Sequence, residues 1–279
     1  MLQINFDLSS FEELEIVTLA DVHLGHPLCD EAELKRIIDY IKEEPINEKC
    51  GRICLLNGDL TESATKTNRN GNVFEMIYTP SVQVAMMVKY LLPLMETSKK
   101  YPQGKILSYC AGNHDGDRYK ETGISAAESI AVGLGLQDRF SQTGCYSFIK
   151  LSRIGETKDG CIFTVYNQHM SGASTTAGGR ANRINKIGSS IVANLIVGSH
   201  VHSPMTFKED IFIPHYERPH SLMQQTITYV ITNSFMKYGD YAEKMGLRPS
   251  TISVPRIYLR QFRDGTGTRR RHKIVEVLL

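Results

Sequence analysis

Five apolar segments of the chain each end in residues of the kind that bind metal ions. The five ends are Asp21-Val22-His23, Asn57-Gly58-Asp59, Asn113-His114-Asp115, Asn167-Gln168-His169 and His200-Val201-His202. Carboxylate, imidazole and amide groups are common ligands for hard and borderline divalent cations. Because ligand sites in open α/β sheets lie beyond the carboxyl ends of the strands, we expect these side chains to meet at one rim.

The number of candidate ligands favours two ions over one. A structural zinc site needs four ligands and is usually rich in cysteine, whereas this set has no thiolate. The seven candidates are Asp21, His23, Asp59, Asn113, His169, His200 and His202. Hydrolytic two-metal sites hold their ions about 3.5–4 Å apart. Asp59 is the natural bridge between them, because a carboxylate has two oxygens to share.

The elements that must position these residues alternate between strand and helix patterns, which predicts a layered α/β fold. Strands are predicted at 15–20, 51–57, 105–110, 145–151, 161–166, 194–198, 226–233 and 272–279. Helices are predicted at 31–44 after an Asp30 cap, at 82–97 after a Ser81 cap, at 125–136 and at 178–193. No linker or repeat divides the sequence, so we expect one domain over residues 1–279.

The second helix pattern, 82–97, is apolar almost all round, which predicts a buried helix. Its methionines Met86, Met87 and Met95 could form a partner-binding face. Core filling is the favoured interpretation, because methionine adapts to irregular gaps.

Composition excludes several classes of protein. The net charge is +2, so any binding to a polyanion must come from a local patch. No window approaches 18 apolar residues, so no membrane span is expected. The first residues lack the order of a signal peptide, and the six cysteines are scattered, which indicates reduced thiols and a cytoplasmic location. The oligomeric state is left open.

The order of motifs resembles that of the calcineurin-like metallophosphoesterase superfamily, whose pattern is DxH, GD, GNH with Asp or Glu, His, and GHxH. The match extends from Asp21 to His202, and the layout is also similar to metallophosphoesterases of phages and Gram-positive bacteria. Ser199 departs from the pattern, because a glycine usually precedes the first histidine of the last motif. The resemblance implies a four-layer α-β-β-α sandwich of two stacked mixed sheets flanked by helices.

The resemblance also assigns roles to individual residues. It implies one metal ion held by Asp21, His23, Asp59 and His202, and a second held by Asp59, Asn113, His169 and His200. His114 would lie near the scissile phosphate without binding metal, and Asp115 would orient it. Mn²⁺ is the favoured ion, while Fe, Zn²⁺, Ni²⁺ and Mg²⁺ are also compatible.

The expected activity is hydrolysis of a phosphoester by a hydroxide that two metal ions activate. The ions offset the negative charge of the phosphoester and lower the pKa of a bound water. His114, as an imidazolium, would protonate the leaving group or stabilise charge on the phosphoryl oxygens.

The substrate is less defined by the sequence. Asp21-Val22-His23-Leu24-Gly25 resembles the opening motif of the SbcD-type nucleases, which favours a phosphodiesterase or nuclease acting on nucleic acid or a nucleotide. Arg180 and Arg183, in a glycine-rich segment, and His26 are candidate substrate contacts. A phosphomonoesterase acting on a protein, nucleotide or small metabolite would have the same metal ligands. A scaffold that retains the fold without catalysis is the third alternative.

Overall fold

A computed structural model describes residues 1–65, 73–114, 122–152, 160–172, 174, 176–215, 220–239, 243, 249, 252–263 and 271–279. The strands in this part of the chain are β1 (Leu2–Leu8), β2 (Glu13–Leu19), β3 (Cys50–Asn57), β4 (Ile106–Cys110), β5 (Phe140–Ser141), β6 (Gly144–Ser152), β7 (Gly160–His169), β8 (Leu195–Ser199), β9 (Met205–Pro214), β10 (Leu222–Ile231), β11 (Arg256–Arg263) and β12 (Arg271–Leu278). The α-helices are α1 (Glu31–Lys42), α2 (Pro80–Leu91), α3 (Ala126–Leu134) and α4 (Ala177–Gly188).

The strands form two mixed sheets of six strands each. The first sheet has the order β1-β6-β7-β8-β10-β9, and the second has the order β12-β11-β2-β3-β4-β5. Strands β2, β3 and β4 are adjacent and parallel in the second sheet. Strands β7 and β8 are adjacent and parallel in the first. The five strands that carry the candidate ligands are therefore divided between the two sheets.

The layers are a helical layer, two stacked sheets and a second helical layer, which confirms the predicted sandwich. Helices α1, α2 and α3 cover the outer face of the second sheet, where Leu34, Met87 and Ile130 join one apolar core with Leu56. Helix α4 covers the outer face of the first sheet through Ile184. A third core lies between the sheets and contains side chains from both.

All eight predicted strands are present, with their ends shifted by up to four residues, but four other strands among the described residues were not predicted. Strands β1, β9 and β11 alternate between buried or half-buried and more exposed residues along all or part of their length. A search for continuous apolar runs therefore misses them. Strand β5 has only two residues.

The predicted start of the second helix was wrong. Helix α2 begins at Pro80 after the cap residue Thr79, rather than after Ser81. Proline suits the first helical position, because its missing N–H has no partner to lose there. The α-helix ends at Leu91 and continues as a short 3₁₀ helix, Leu92–Met95. Pro93 lies in this segment and cannot donate the hydrogen bond that an α-helix requires.

Helix α2 is also less buried than predicted, because one side of it faces solvent. Val82 is 43% exposed, whereas Met87 is fully buried. Met86 and Met95 pack against the same core as Met87, which confirms the core-filling interpretation of the methionines.

Two further findings concern the cysteines and the helices. None of the six cysteines is in a disulfide bond. No helix among the described residues is long and apolar enough to cross a membrane.

Replacement of Met87 by alanine should lower the free energy of unfolding by about 2–5 kcal/mol, because it leaves a cavity in a packed core. Val82→Ala is the matched control on the exposed side of the same helix, and its effect should stay within about 0.5 kcal/mol. Urea denaturation of the three proteins measures both values. Equal losses for the two variants would contradict the one-sided burial of α2.

Candidate metal centre

The segments that follow β2 and β3 lie side by side and continue the pairing of the two strands. Asp21 donates its backbone N–H to the carbonyl of Gly58 at 3.0 Å, and His23 donates to the carbonyl of Asp59 at 3.0 Å. This pairing places two carboxylates and one imidazole next to each other at the rim of the second sheet.

The backbone at most of the candidate ligands is left-handed. Five of the seven have a positive φ, which is uncommon for residues other than glycine: Asp21 (50°), His23 (50°), Asp59 (49°), His200 (87°) and His202 (50°). Such a conformation costs about 1–2 kcal/mol per residue. Strain of this kind is concentrated at functional sites, where the surrounding structure maintains it.

Two glycines allow the strand ends to approach each other closely. A β-carbon on Gly112 would lie 2.0 Å from the Oδ1 atom of Asp59. A β-carbon on Gly58, whose φ is +84°, would lie 2.5 Å from the Nδ1 atom of His169. Larger residues at either position would displace a candidate ligand.

The first group of ligands contains Asp21, His23 and His202. Their ligand atoms all lie within 4.8 Å of one another. The Nε2 atom of His202 is 3.3 Å from Asp21 Oδ1 and 3.3 Å from His23 Nε2. Asp21 is fully buried, while the His202 side chain is 38% exposed, so the group opens to solvent at His202.

The second group contains Asp59, His169 and His200, whose ligand atoms also lie within 4.8 Å of one another. His169 Nε2 is 3.2 Å from Asp59 Oδ2 and 3.2 Å from His200 Nδ1. Asp59 also lies within 4.8 Å of ligand atoms of His23, so it connects the two groups. This is the position that a bridging carboxylate requires.

Asn113 supplies a further test of whether metal ions fit this arrangement. Its side-chain oxygen lies 3.0 Å from His169 Nε2 and also faces two acceptor atoms, Asp59 Oδ2 and His200 Nδ1. Lone pairs that converge in this way are satisfied by a cation between them, or by turning the amide so that its nitrogen donates. Because the donors are all nitrogen or oxygen, the seven residues fit divalent ions of the hard and borderline classes.

The electrostatics of the two groups are dominated by the buried carboxylates. Burial alone would raise the pKa of Asp59, but the neighbouring His169 and His114 lower it well below its ordinary value. Burial would likewise raise the pKa of Asp21, and His202 and His169 lower it. Both carboxyl groups are therefore ionised and available to a cation.

The two histidines of the second group, His169 and His200, have pKa values shifted in opposite directions. Burial lowers the pKa of His169, but the Asp59 carboxylate more than compensates and raises it to about 10. Burial lowers the pKa of His200 to about 4, and the charge of His169 contributes to this shift. At neutral pH, His200 is thus ready to bind metal, whereas His169 must first lose a proton.

His114 lies beside both groups and is almost fully buried. Its backbone N–H donates to Asp59 Oδ1 at 2.9 Å, and its Nδ1 atom is 3.2 Å from the carbonyl oxygen of Glu62. Since a carbonyl only accepts, Nδ1 carries a hydrogen. With His23 and Asp59, His114 also forms a third set of ligand atoms within 4.8 Å.

Glu62 is a residue of this site that the sequence analysis missed. Its carboxylate accepts from His23 Nδ1 at 2.9 Å and lies 3.6 Å from His114 Nδ1. Carboxylates that bond the second nitrogen of a metal-binding histidine fix its orientation and tautomer. In the sequence, only its position three residues after Asp59 could have pointed to Glu62. Glutamate is mostly exposed in proteins, so that position alone did not predict a buried role.

The remaining predicted residues stand as follows. Asp115 lies outside the described residues, so its role in orienting His114 stays a prediction. His26 is half-buried, accepts from the backbone N–H of Leu28 at 3.0 Å, and is among the charges that lower the pKa of Glu62. Arg180 is half-buried on α4, and Arg183 donates to the carbonyl of Ser171 at 2.6 Å.

Comparisons with known proteins add little beyond this geometry. No protein-family model matches the chain, and no curated protein sequence matches it. Among solved structures, the chain is similar to Vps29 of Chaetomium thermophilum, with 11% identity over 95% of this chain and 96% of that one and a TM-score of 0.33. A similarity at this level does not establish a family. The features on which function can be argued are therefore the two-sheet sandwich and the histidine and aspartate groups that could hold metal ions.

Metal binding should release about one proton per chain at neutral pH, because His169, with its pKa raised to about 10, must lose the Nε2 proton to coordinate. The apparent affinity for metal should rise with pH until the pH approaches the pKa of His169. Calorimetric titration of the chelator-treated protein, in two buffers of different ionisation enthalpy, measures the proton count. A binding heat that is the same in both buffers would contradict this charge state.

Proposed function

We propose that this chain is a two-metal phosphoesterase of the calcineurin-like type that hydrolyses phosphodiesters. The observation that carries the proposal is the convergence of seven nitrogen and oxygen ligands into two groups joined by Asp59, with His114 beside them. The ordered motifs from Asp21 to His202 support the same conclusion independently.

The residues divide naturally between two ions. Asp21, His23 and His202 would hold one, Asn113, His169 and His200 would hold the other, and Asp59 would contact both. Mn²⁺ is the proposed ion, and Fe, Zn²⁺, Ni²⁺ and Mg²⁺ suit the same ligands. When bound, two divalent ions offset the charge of a phosphoester and lower the pKa of a water molecule.

The protein's own residues contribute orientation and a proton. Glu62 and Asp59 hold His114 from two sides, through its Nδ1 atom and its backbone N–H. The Nε2–H of His114 is then the group that can donate a proton to the leaving oxygen. The Glu62 carboxylate lies 3.6 Å from the same ring, on the side of Nδ1.

The preference for diesters is the finer part of the proposal. It is supported by the likeness of residues 21–25 to the opening motif of the SbcD-type nucleases. Arg180, Arg183 and His26 are the proposed contacts to phosphates on either side of the scissile one. A nucleic acid or a nucleotide is accordingly the proposed partner of the site.

Hydrolysis of bis-p-nitrophenyl phosphate should be faster than hydrolysis of p-nitrophenyl phosphate when Mn²⁺ is added to the chelator-treated protein. Asp59→Ala should abolish both activities, because it removes the carboxylate that both ions share. Labelled DNA and RNA assayed in parallel extend the comparison to natural diesters.

The other outcomes identify the alternatives. Faster hydrolysis of the monoester would establish a phosphomonoesterase. Binding of metal without turnover of any substrate would indicate a scaffold. Unchanged metal content and activity in the Asp59→Ala variant would exclude the bridging role of Asp59.

Replacement of His114 by glutamine should preserve metal binding and reduce turnover according to the leaving group. A nitrophenolate leaves without a proton, so the loss of turnover on nitrophenyl esters should be small. A sugar hydroxyl leaves poorly as an alkoxide, so hydrolysis of nucleotide diesters should fall by about 10²–10⁴-fold. Steady-state rates on the two substrate types measure the difference.

His272→Gln is the matched control, because this exposed histidine lies on the edge strand β12 and stacks on Phe262. It should leave both rates unchanged. Equal losses on both substrates in His114→Gln would assign His114 to charge stabilisation on the phosphoryl group. Full activity on nucleotide diesters would remove it from the mechanism.

A further inference from the structure

A group of polar side chains is buried between the two sheets, directly beneath the metal ligands. Asn57 and Ser108 belong to the second sheet, whereas Asn167 and Ser199 belong to the first, and all four are fully buried. Buried polar groups are costly unless they are hydrogen-bonded. The proposed reaction does not use these residues, so their arrangement calls for its own explanation.

The Ser199 hydroxyl has a complete set of partners. It donates to the carbonyl of Asn57 at 2.5 Å and accepts from Asn57 Nδ2 at 3.0 Å. It also lies 2.9 Å from the Nδ1 atom of His169. A hydroxyl has one hydrogen and two lone pairs, so its remaining lone pair is available only to a hydrogen on Nδ1.

The Asn57 carbonyl also requires a hydrogen on Nδ1 of His169. This oxygen lies 3.0 Å from His169 Nδ1 and can only accept. Both neighbours of Nδ1 therefore retain a hydrogen on that atom when His169 is neutral. The lone pair is then on Nε2, which faces Asp59 Oδ2 at 3.2 Å and Asn113 Oδ1 at 3.0 Å.

The orientation of Asn57 is set by further bonds between the sheets. Asn167 Nδ2 donates to Asn57 Oδ1 at 3.0 Å, and Asn167 Oδ1 accepts from the Ser108 hydroxyl at 2.8 Å. Each side chain thus donates to the next one in the series Ser108, Asn167, Asn57 and Ser199. Because the chain of bonds crosses from one sheet to the other three times, it ties the orientation of His169 to the stacking of the sheets.

We propose that Ser199 is a positioning residue for His169: with Asn57, it fixes the imidazole in the tautomer and ring orientation that present Nε2 to a metal ion. This inference rests on the metal centre proposed above. A glycine at position 199 could not accept from Nδ1, so the serine adds a support that the resemblance to the metallophosphoesterases did not assign. Ser199 itself is fully buried and is not one of the seven candidate ligands.

The test compares Ser199→Ala with Ser147→Ala. Ser147 is a fully buried serine on β6 of the same sheet, and within the described part of the chain its hydroxyl has no hydrogen-bond partner. Calorimetric titration of each chelator-treated protein with Zn²⁺ gives the affinity of each of the two sites. Nitrogen-15 NMR of the zinc-loaded wild-type protein gives the tautomer of His169, since Zn²⁺ is diamagnetic.

Ser199→Ala should weaken one of the two sites by about 10-fold, the lower end of the range for groups that orient a metal ligand, and leave the other unchanged. Ser147→Ala should change neither, and the wild-type protein should carry the hydrogen of His169 on Nδ1. Thermal unfolding of both metal-free variants shows that they are folded.

Wild-type affinity at both sites in Ser199→Ala would overturn the proposal and leave the metal centre intact. A hydrogen on Nε2 of His169 would overturn it in the same way. A wild-type chain that binds no Zn²⁺ or Mn²⁺ would instead overturn the metal centre, and this proposal with it.

Discussion

Two fully buried carboxylates, Asp21 and Asp59, set the constraint on which the arrangement of this site depends. An ionised carboxylate away from water is unfavourable unless opposite charge and hydrogen bonds compensate it. Asp21 accepts from the backbone N–H of His200, and Asp59 accepts from that of His114. Histidines supply this positive charge in the metal-free chain, and bound divalent ions could supply it instead. The same pair of carboxylates therefore explains the shifted pKa values and the capacity for metal.

Holding these groups together requires an unfavourable backbone. Left-handed conformations at five candidate ligands oppose folding, and the paired segments after β2 and β3 help to offset that cost. Gly58 and Gly112 remove the side chains that would prevent this approach. The rim is thus a strained region supported by two well-packed sheets, as expected where geometry serves chemistry.

Two separate supports orient the candidate metal ligands. In the segment that follows β3, Glu62 bonds His23 and lies next to His114. At the end of β8, Ser199 bonds His169 together with the carbonyl of Asn57 on β3. Both supports act on Nδ1 and leave Nε2 for the site. The ligands of the two proposed ions are therefore oriented by different elements, and a change in one support should affect mainly its own ion.

The sequence by itself determined the strands that end at the site and the types of residue that they carry. Strands β2, β3, β4, β7 and β8 are apolar runs bounded by Asp, His or Asn, because both faces of a central strand are buried. The sandwich was implied by the resemblance that the motif order carries. The alternating strands β1, β9 and β11 were missed, because one face of each, over all or part of its length, is less buried and interrupts the apolar run.

Only the tertiary structure decided how these parts combine. It divided the five strands between two sheets, left one side of α2 exposed, and brought Asp59 between the two groups of ligands. It also placed Glu62 beside His23 and Ser199 beside Asn57, partners that are 39 and 142 residues apart in the chain. Residue type and spacing do not encode such contacts, because burial and hydrogen-bond partners depend on which distant segments the fold packs together.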